Sequence, residues 1–299
     1  MNTIVKALER LRQSGQGGPS AAPEIGNPPR AGSKAPGAAD SPLGSPSPPA
    51  RSGPPLDIDL GQLRRYGIFP PSAMEGTLRD QYRRIKRPLL ANATGRGAVA
   101  VDRGNLIMVT SAIPGEGKTF TSLNLALSIA QDPDFSVTLV DGDVARAHAS
   151  KLLGVQDRPG LLDLLADESL RASDLILPTS IESLFVLPAG RPHPLSEELL
   201  SSHRMERVVS ALADPTPRHI ILFDSPPLLA TSEAVTLSSS VGQIVMVVKA
   251  SSTLRQQVTA AIELLDPEKA INLVLNQLLG GAGGSEYGGY YAHYSDAER

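Results

Sequence analysis

The chain has 299 residues, 27 of them Gly and 26 Pro, with no Cys, no Trp and a formal net charge of −3. Lack of Cys excludes disulfides, thiolate metal sites and a Cys nucleophile, and the near-neutral charge supplies no global field for nucleic acid, so no nucleic-acid partner is expected. The five His show no zinc-ligand spacing, no apolar run approaches a membrane span, and no apolar stretch at the N-terminus reads as a signal peptide, so a cytoplasmic location is expected.

Residues 1–13 read as a short amphipathic helix, with Ile4, Ala7, Leu8 and Leu11 on one face and Lys6, Arg10 and Arg12 off it. A frayed terminus and a docking helix for a membrane surface or partner both fit that pattern. Residues 14–56 read as a disordered linker: from Gly15 to Leu56, 42 residues hold 11 Pro and 8 Gly. A stretch so poor in large apolar side chains cannot offset the entropy of ordering itself, and as a coil it spans about 35–40 Å.

The foldable part is expected at 57–279. Residues 74–91 read as a helix with apolar Leu78, Tyr82, Ile85 and Leu89 and basic Arg79, Arg83, Arg84, Lys86 and Arg87. That basic run is either a solvated face or an oligomer contact. From Asn105 onward short apolar strands alternate with helical stretches. The strands are Leu106–Thr110, Val137–Val140, Leu184–Leu187, His219–Phe223, Ile244–Val248 and Ile271–Leu275; helices fill 118–131, 195–213, 232–238 and 254–265. The alternation predicts an α/β fold, a mostly parallel sheet flanked by helices, with ligands at the carboxyl ends of the strands. Residues 280–299 read as a flexible tail. Six Gly fall between Gly280 and Gly289, yet the tail carries four of the six tyrosines, Tyr287, Tyr290, Tyr291 and Tyr294. Aromatics are core residues by default, so four on a glycine-rich tail call for another use.

The strand at Leu106–Thr110 runs into Ser111-Ala112-Ile113-Pro114-Gly115-Glu116-Gly117-Lys118-Thr119 and then a helix. This is the phosphate-binding loop of P-loop NTPases, G-x-x-x-x-G-K-[ST], with Ala112 in place of its first Gly. Gly115 and Gly117 let backbone N–H groups turn toward phosphates, and the helix presents its positive end. Lys118 is a point charge for the β- and γ-phosphates of ATP, and Thr119 offers a hydroxyl to Mg²⁺. The expected ATP-binding set is Pro114, Gly115, Glu116, Gly117, Lys118, Thr119 and Phe120. Two further strands end in acids: Val137–Val140 leads to Asp141-Gly142-Asp143, and His219–Phe223 leads to Asp224-Ser225-Pro226-Pro227. An acid after a buried strand is costly unless it meets a cation. Mg²⁺ is the expected one, on Asp224, with Asp141 and Asp143 near the γ-phosphate. The competing role for Asp143 and Asp224 is to cap the next helix.

Together these segments resemble the bacterial tyrosine kinases, a P-loop family of the deviant Walker, partitioning-ATPase-like superfamily. The matching residues are the loop 111–119, Asp141-Gly142-Asp143-Val144-Ala145-Arg146, Ile221-Leu222-Phe223-Asp224-Ser225-Pro226-Pro227 and the terminal tyrosines. Ile85-Lys86-Arg87-Pro88-Leu89-Leu90, Pro188-Ala189-Gly190 and Ser196-Glu197-Glu198-Leu199-Leu200 look most like the exosortase-associated autokinases of exopolysaccharide loci. The resemblance implies a protein-tyrosine kinase using ATP and Mg²⁺, with Lys118, Asp141, Asp143 and Asp224 catalytic and Thr119, Asp141 and Asp224 on the metal. Asp141 would serve Mg²⁺ or take the tyrosine proton. Asn276 matches a position that contacts adenine in related ATPases; an Asn in a strand-end turn is the alternative. Asp80, Arg83 and Lys86 match the family's Glu-x-x-Arg-x-x-Arg oligomer contact, with Lys losing the bidentate geometry of Arg. Ala147 stands where the family commonly has Pro.

The implied function is autophosphorylation in trans on Tyr287, Tyr290, Tyr291 and Tyr294 within a homo-oligomeric ring, controlling exopolysaccharide polymerisation or export. The implied partners are a separate membrane polysaccharide copolymerase, which recruits the chain to the inner face of the cytoplasmic membrane, and a tyrosine phosphatase. A partitioning-type ATPase is the first alternative, but its signature Lys would stand at Ile113. A non-enzymatic, nucleotide-sensing subunit of a polysaccharide assembly complex is the second.

Overall fold

A computed structural model describes residues 55–69, 76–98, 100–213, 216 and 218–277. The helix expected at 1–13, nearly all of the linker and the tyrosine tail lie outside the described residues. The helices are α1 (Leu60–Arg65), α2 (Gly76–Ala93), α3 (Lys118–Ala130), α4 (His148–Leu152), α5 (Leu161–Ala166), α6 (Ala172–Leu175), α7 (Ser196–Leu200), α8 (His203–Leu212), α9 (Ser232–Ser240) and α10 (Arg255–Glu263). The strands are β1 (Leu106–Ser111), β2 (Ser136–Asp141), β3 (Leu177–Pro178), β4 (Leu184–Leu187), β5 (His219–Asp224), β6 (Gln243–Lys249) and β7 (Ala270–Asn276).

The strands form one seven-stranded sheet in the order β3-β4-β2-β5-β1-β6-β7. Every pairing is parallel except β3 with β4. Strand periodicity divides the core in two. Leu106 and Met108, Ile221 and Phe223, and Ile244 and Met246 face one layer, together with side chains of α5, α7, α8, α9 and α10. Ile107 and Val109, Ile220 and Leu222, and Val245 and Val247 face the other, under α1, α2 and α3. Because both faces of the central strands are covered, they read as continuous apolar runs; β7, at the sheet edge, is also apolar in sequence although Leu273 and Leu275 are exposed.

The helix at 74–91 belongs to the fold. Leu78, Tyr82, Ile85 and Leu89 form a stripe at helical spacing that packs into the second core. Burial pushes the Tyr82 phenol well above its usual range, with hydrogen bonds to Thr121 and Asn124 of α3 pulling the other way. At the far end, the buried Gln243 amide donates to the Leu89 carbonyl (3.0 Å) and accepts from Asn92 Nδ2 (2.8 Å). Leu89→Ala should therefore cost about 2–5 kcal/mol, visible as a lower urea midpoint; an unchanged midpoint would mean that α2 is not part of the cooperative fold.

Three differences from the sequence reading have physical causes. The helix expected over 195–213 is two helices, α7 and α8, because Ser202 is extended (φ −84°, ψ 156°) and its hydroxyl bonds back to the Leu199 carbonyl at 2.6 Å. The short antiparallel β3 and the brief α1, α4, α5 and α6 were too short to show periodicity. Leu56, assigned to the linker, joins the sheet margin: its N–H donates to the Pro178 carbonyl and its carbonyl accepts from Ser180 N, both at 2.8 Å.

Candidate active site

The strand order sets the site. β1 lies between β5 and β6, and β2 lies beyond β5, so the carboxyl ends of β1, β5 and β2 are neighbours. The loop after β1 turns through Gly115 (φ 84°) and Gly117 (φ 95°), both left-handed, before α3 starts at Lys118. The left-handed backbone is what calls for Gly117; a Cβ there would also displace the Asn276 side chain, whose Nδ2 lies 2.0 Å from its position. Ala112 is buried and has no left-handed backbone, so the loop's first Gly is dispensable here.

The loop is braced from outside. Thr110 Oγ1 donates to the Pro226 carbonyl and Ser111 Oγ to the Ile113 carbonyl, both at 2.8 Å. The Glu116 carboxylate turns inward: Oε2 accepts from Ile113 N (2.8 Å), and Oε1 accepts from Lys249 N (3.2 Å) and the Thr253 hydroxyl. Glu116 can therefore offer a nucleotide only its backbone. Asn276 Nδ2 donates to the Glu116 carbonyl at 2.9 Å, which puts this residue against the loop at the end of β7. The Phe120 ring packs with the second core and contacts the Gly67 position. Lys249 and Thr253 were not anticipated; a brace made partly by a backbone N–H over a hundred residues away leaves no sequence signal.

Lys118 is 6% exposed. Burial lowers its pKa, and the charges of Asp224 and then Asp143 pull it back up. Asp141 and Asp224 are register partners across β2 and β5, exposed by only 1% and 0%. Asp141 Oδ2 accepts from the N–H and hydroxyl of Ser150 at 2.8 and 2.7 Å, while Oδ1 has no partner. Asp224 Oδ1 accepts from Ser122 Oγ at 3.0 Å, while Oδ2 has no partner. Burial raises the pKa of both acids; the Asp141 charge raises Asp224 further, and the Asp143 charge adds to Asp141. Asp143 is buried beside them, its carbonyl accepting from Ala147 N (2.7 Å) in a left-handed turn at Ala147 (φ 46°).

Buried polar atoms normally have partners. Two orphaned carboxylate oxygens at adjacent strand ends, beside a buried ammonium, form a hard-oxygen donor set that fits Mg²⁺ completed by phosphate and water. Thr119, in the first turn of α3, is half-buried, and its hydroxyl interacts with the Asp224 carboxylate.

The three residues expected at an oligomer contact divide. Asp80 and Arg83 are exposed. The Lys86 side chain is only 12% exposed; its ammonium donates to the Ser128 carbonyl (2.8 Å) and pairs with Asp132 (3.3 Å), both of its own chain.

No protein-family model matches the chain. It is 31% identical over 215 residues to the tyrosine-protein kinase YwqD of Bacillus subtilis, covering 71% of this chain and 85% of that one. It is 30% identical over 193 residues to the tyrosine-protein kinase wzc of Salmonella typhimurium, covering 64% of this chain. The match spans only 26% of that longer relative's length. Among solved structures, the VpsO kinase domain superposes with a TM-score of 0.54 at 30% identity, covering 67% of this chain and 98% of that one. The septum site-determining protein MinD of Pyrococcus horikoshii, solved with Mg-ADP, gives 0.50 at 26% identity over 60% of this chain and 72% of that one.

Proposed function

The chain belongs to the bacterial tyrosine-protein kinases, and from that premise we propose that it transfers the γ-phosphoryl group of ATP to tyrosine hydroxyls. The observation that carries this reading is the pair of orphaned oxygens, Asp141 Oδ1 and Asp224 Oδ2, beside the buried Lys118 at the end of a phosphate loop. Backbone N–H groups from Gly115 to Thr119 hold the phosphates, and Lys118 carries a fixed charge to the γ-phosphate. Thr119, Asp141 and Asp224 would hold Mg²⁺, which when bound neutralises charge building on the phosphate oxygens. As the tyrosine oxygen attacks the γ-phosphorus and ADP leaves, the phenol, with a pKa near 10, gives its proton to a carboxylate of the Asp141–Asp143 pair.

The acceptors are Tyr287, Tyr290, Tyr291 and Tyr294 of a neighbouring copy. Each phosphate adds about −1.5 to −2 charges, which repel the tail from Asp141, Asp143 and Asp224 and loosen the assembly. Of the three residues matched to the oligomer contact, Asp80 and Arg83 are exposed and so available to a neighbour. Among the described residues no helix is long and apolar enough to cross a membrane. In this reading a membrane copolymerase of the polysaccharide machinery recruits the chain to the cytoplasmic face, and a tyrosine phosphatase resets it.

The test mixes two chains with ATP and Mg²⁺: full-length Lys118→Met, and an active chain truncated after Leu279. Phosphate mapped by mass spectrometry to the tail of the Lys118→Met chain is the expected result. No phosphotyrosine on any tail, with the wild-type chain alone also unmodified, would overturn the reading.

A further inference from the structure

The Pro188-Ala189-Gly190 turn has no role in the reading above, yet it lies one hydrogen bond from the site. Ala189 N donates to Ser150 Oγ at 3.0 Å, and Ser150 Oγ donates to Asp141 Oδ2 at 2.7 Å. A hydroxyl has a single hydrogen. With the Ala189 N–H occupying one lone pair, that hydrogen is committed to Asp141. Ser150 N supplies a second bond to the same oxygen at 2.8 Å, so Oδ2 is satisfied twice and Oδ1 is left alone.

The turn itself is locked. Its Pro188 and Ala189 carbonyls accept from Leu161 N (2.9 Å) and Leu162 N (3.0 Å) of α5. Asp163 Oδ2 accepts from Gly160 N (2.9 Å) and Arg191 N (3.0 Å) around it. Gly190 is left-handed (φ 93°), and a Cβ there would meet Asp163 Oδ2 at 2.7 Å. A Cβ on Gly160 would meet the Pro188 carbonyl at 2.0 Å. The backbone is therefore held at close contact on both sides, and the Ala189 N–H has a fixed direction.

The geometry points to Ser150 as a positioning residue: its hydroxyl, aimed by the Pro188-Ala189-Gly190 turn, fixes the Asp141 carboxylate so that Oδ1 faces the metal position. This rests on the reading of Asp141 as a Mg²⁺ ligand. Partners that orient a metal ligand typically account for about 10–100-fold in metal affinity. The carboxylate of the Ser150→Ala variant keeps its backbone interactions with Ser150 and Asp143, loses the one side-chain bond that the turn aims, and gains freedom to rotate.

The experiment titrates Mg²⁺ into full-length chain with a fluorescent ADP analogue, and repeats the binding in EDTA. Ser150→Ala should raise the half-saturating Mg²⁺ about 10-fold while leaving affinity in EDTA unchanged. Asp141→Asn is the reference and should shift the Mg²⁺ midpoint at least as far. Equal loss with and without Mg²⁺, or no shift for Ser150→Ala beside a clear shift for Asp141→Asn, overturns the role of Ser150 and leaves the metal reading intact. No shift for Asp141→Asn overturns both. If the alanine variant does not fold, Ser150→Cys keeps the volume with a weaker donor, and the same two outcomes decide.

Discussion

Lys118→Met should lower tyrosine phosphorylation by about 10²–10³-fold, or roughly 2.7–4 kcal/mol of transition-state stabilisation, in a chain that still unfolds cooperatively. The substitution keeps length and apolar volume and removes only the charge. That charge sits in a desolvated position, where an ion acts on a bound phosphate far more strongly than in water. Burial disfavours the ammonium there, and the charges of Asp224 and Asp143 are the main compensation. The effect should fall mainly on the chemical step, because the loop N–H groups continue to bind the nucleotide. Radiolabel transfer to the tail gives the rate, and fluorescent ADP binding gives the affinity. A variant that transfers phosphate within tenfold of wild type would show that Lys118 is a structural counter-ion to Asp224.

The central strands were legible because buried parallel strands must be apolar runs, and the phosphate loop because its glycines answer backbone constraints that no other residue meets. Asp141 and Asp224 could be read as acids at strand ends. That they are register partners could not, since pairing β2 with β5 depends on an order the chain does not visit in sequence. Glu116 shows the opposite limit. Its place in the loop suggests a nucleotide contact, yet its carboxylate is spent on Ile113, Lys249 and Thr253. Lys86 looked like one charge of a basic face and is a tie between α2 and the end of α3. Ser150 carried no motif at all; its role follows from a hydrogen bond to a turn 39 residues away. In each case the residue type was informative and its partner was not, because partners are chosen by the fold.

Asp224→Asn should move stability and function in opposite directions. Asp224 is fully buried, the hydroxyls of Ser122 and Thr119 interact with its carboxylate, its Oδ2 lacks a partner, and the Asp141 charge lies across the strand pair. Its folded pKa is raised, first by burial and then by Asp141. The native state therefore keeps a proton that the unfolded state has already lost near pH 4. The sign follows from linkage: metal-free stability falls as pH rises from the unfolded value toward the folded one. Asparagine cannot ionise, so the Asp224→Asn chain in EDTA should melt higher at neutral pH and depend less on pH between 5 and 8. A gain of about 1 kcal/mol would appear as roughly 2–4 °C in a domain of this size. Mg²⁺-dependent nucleotide binding and tail phosphorylation should fall by about 10²-fold or more, since a neutral amide oxygen is a poor substitute for a carboxylate facing a hard cation. The two readouts distinguish a functional acid from a structural one. A carboxylate kept only to cap or brace would have both oxygens satisfied, and its loss would lower stability and activity together. An acid retained at a cost to the empty fold is retained for what binds there.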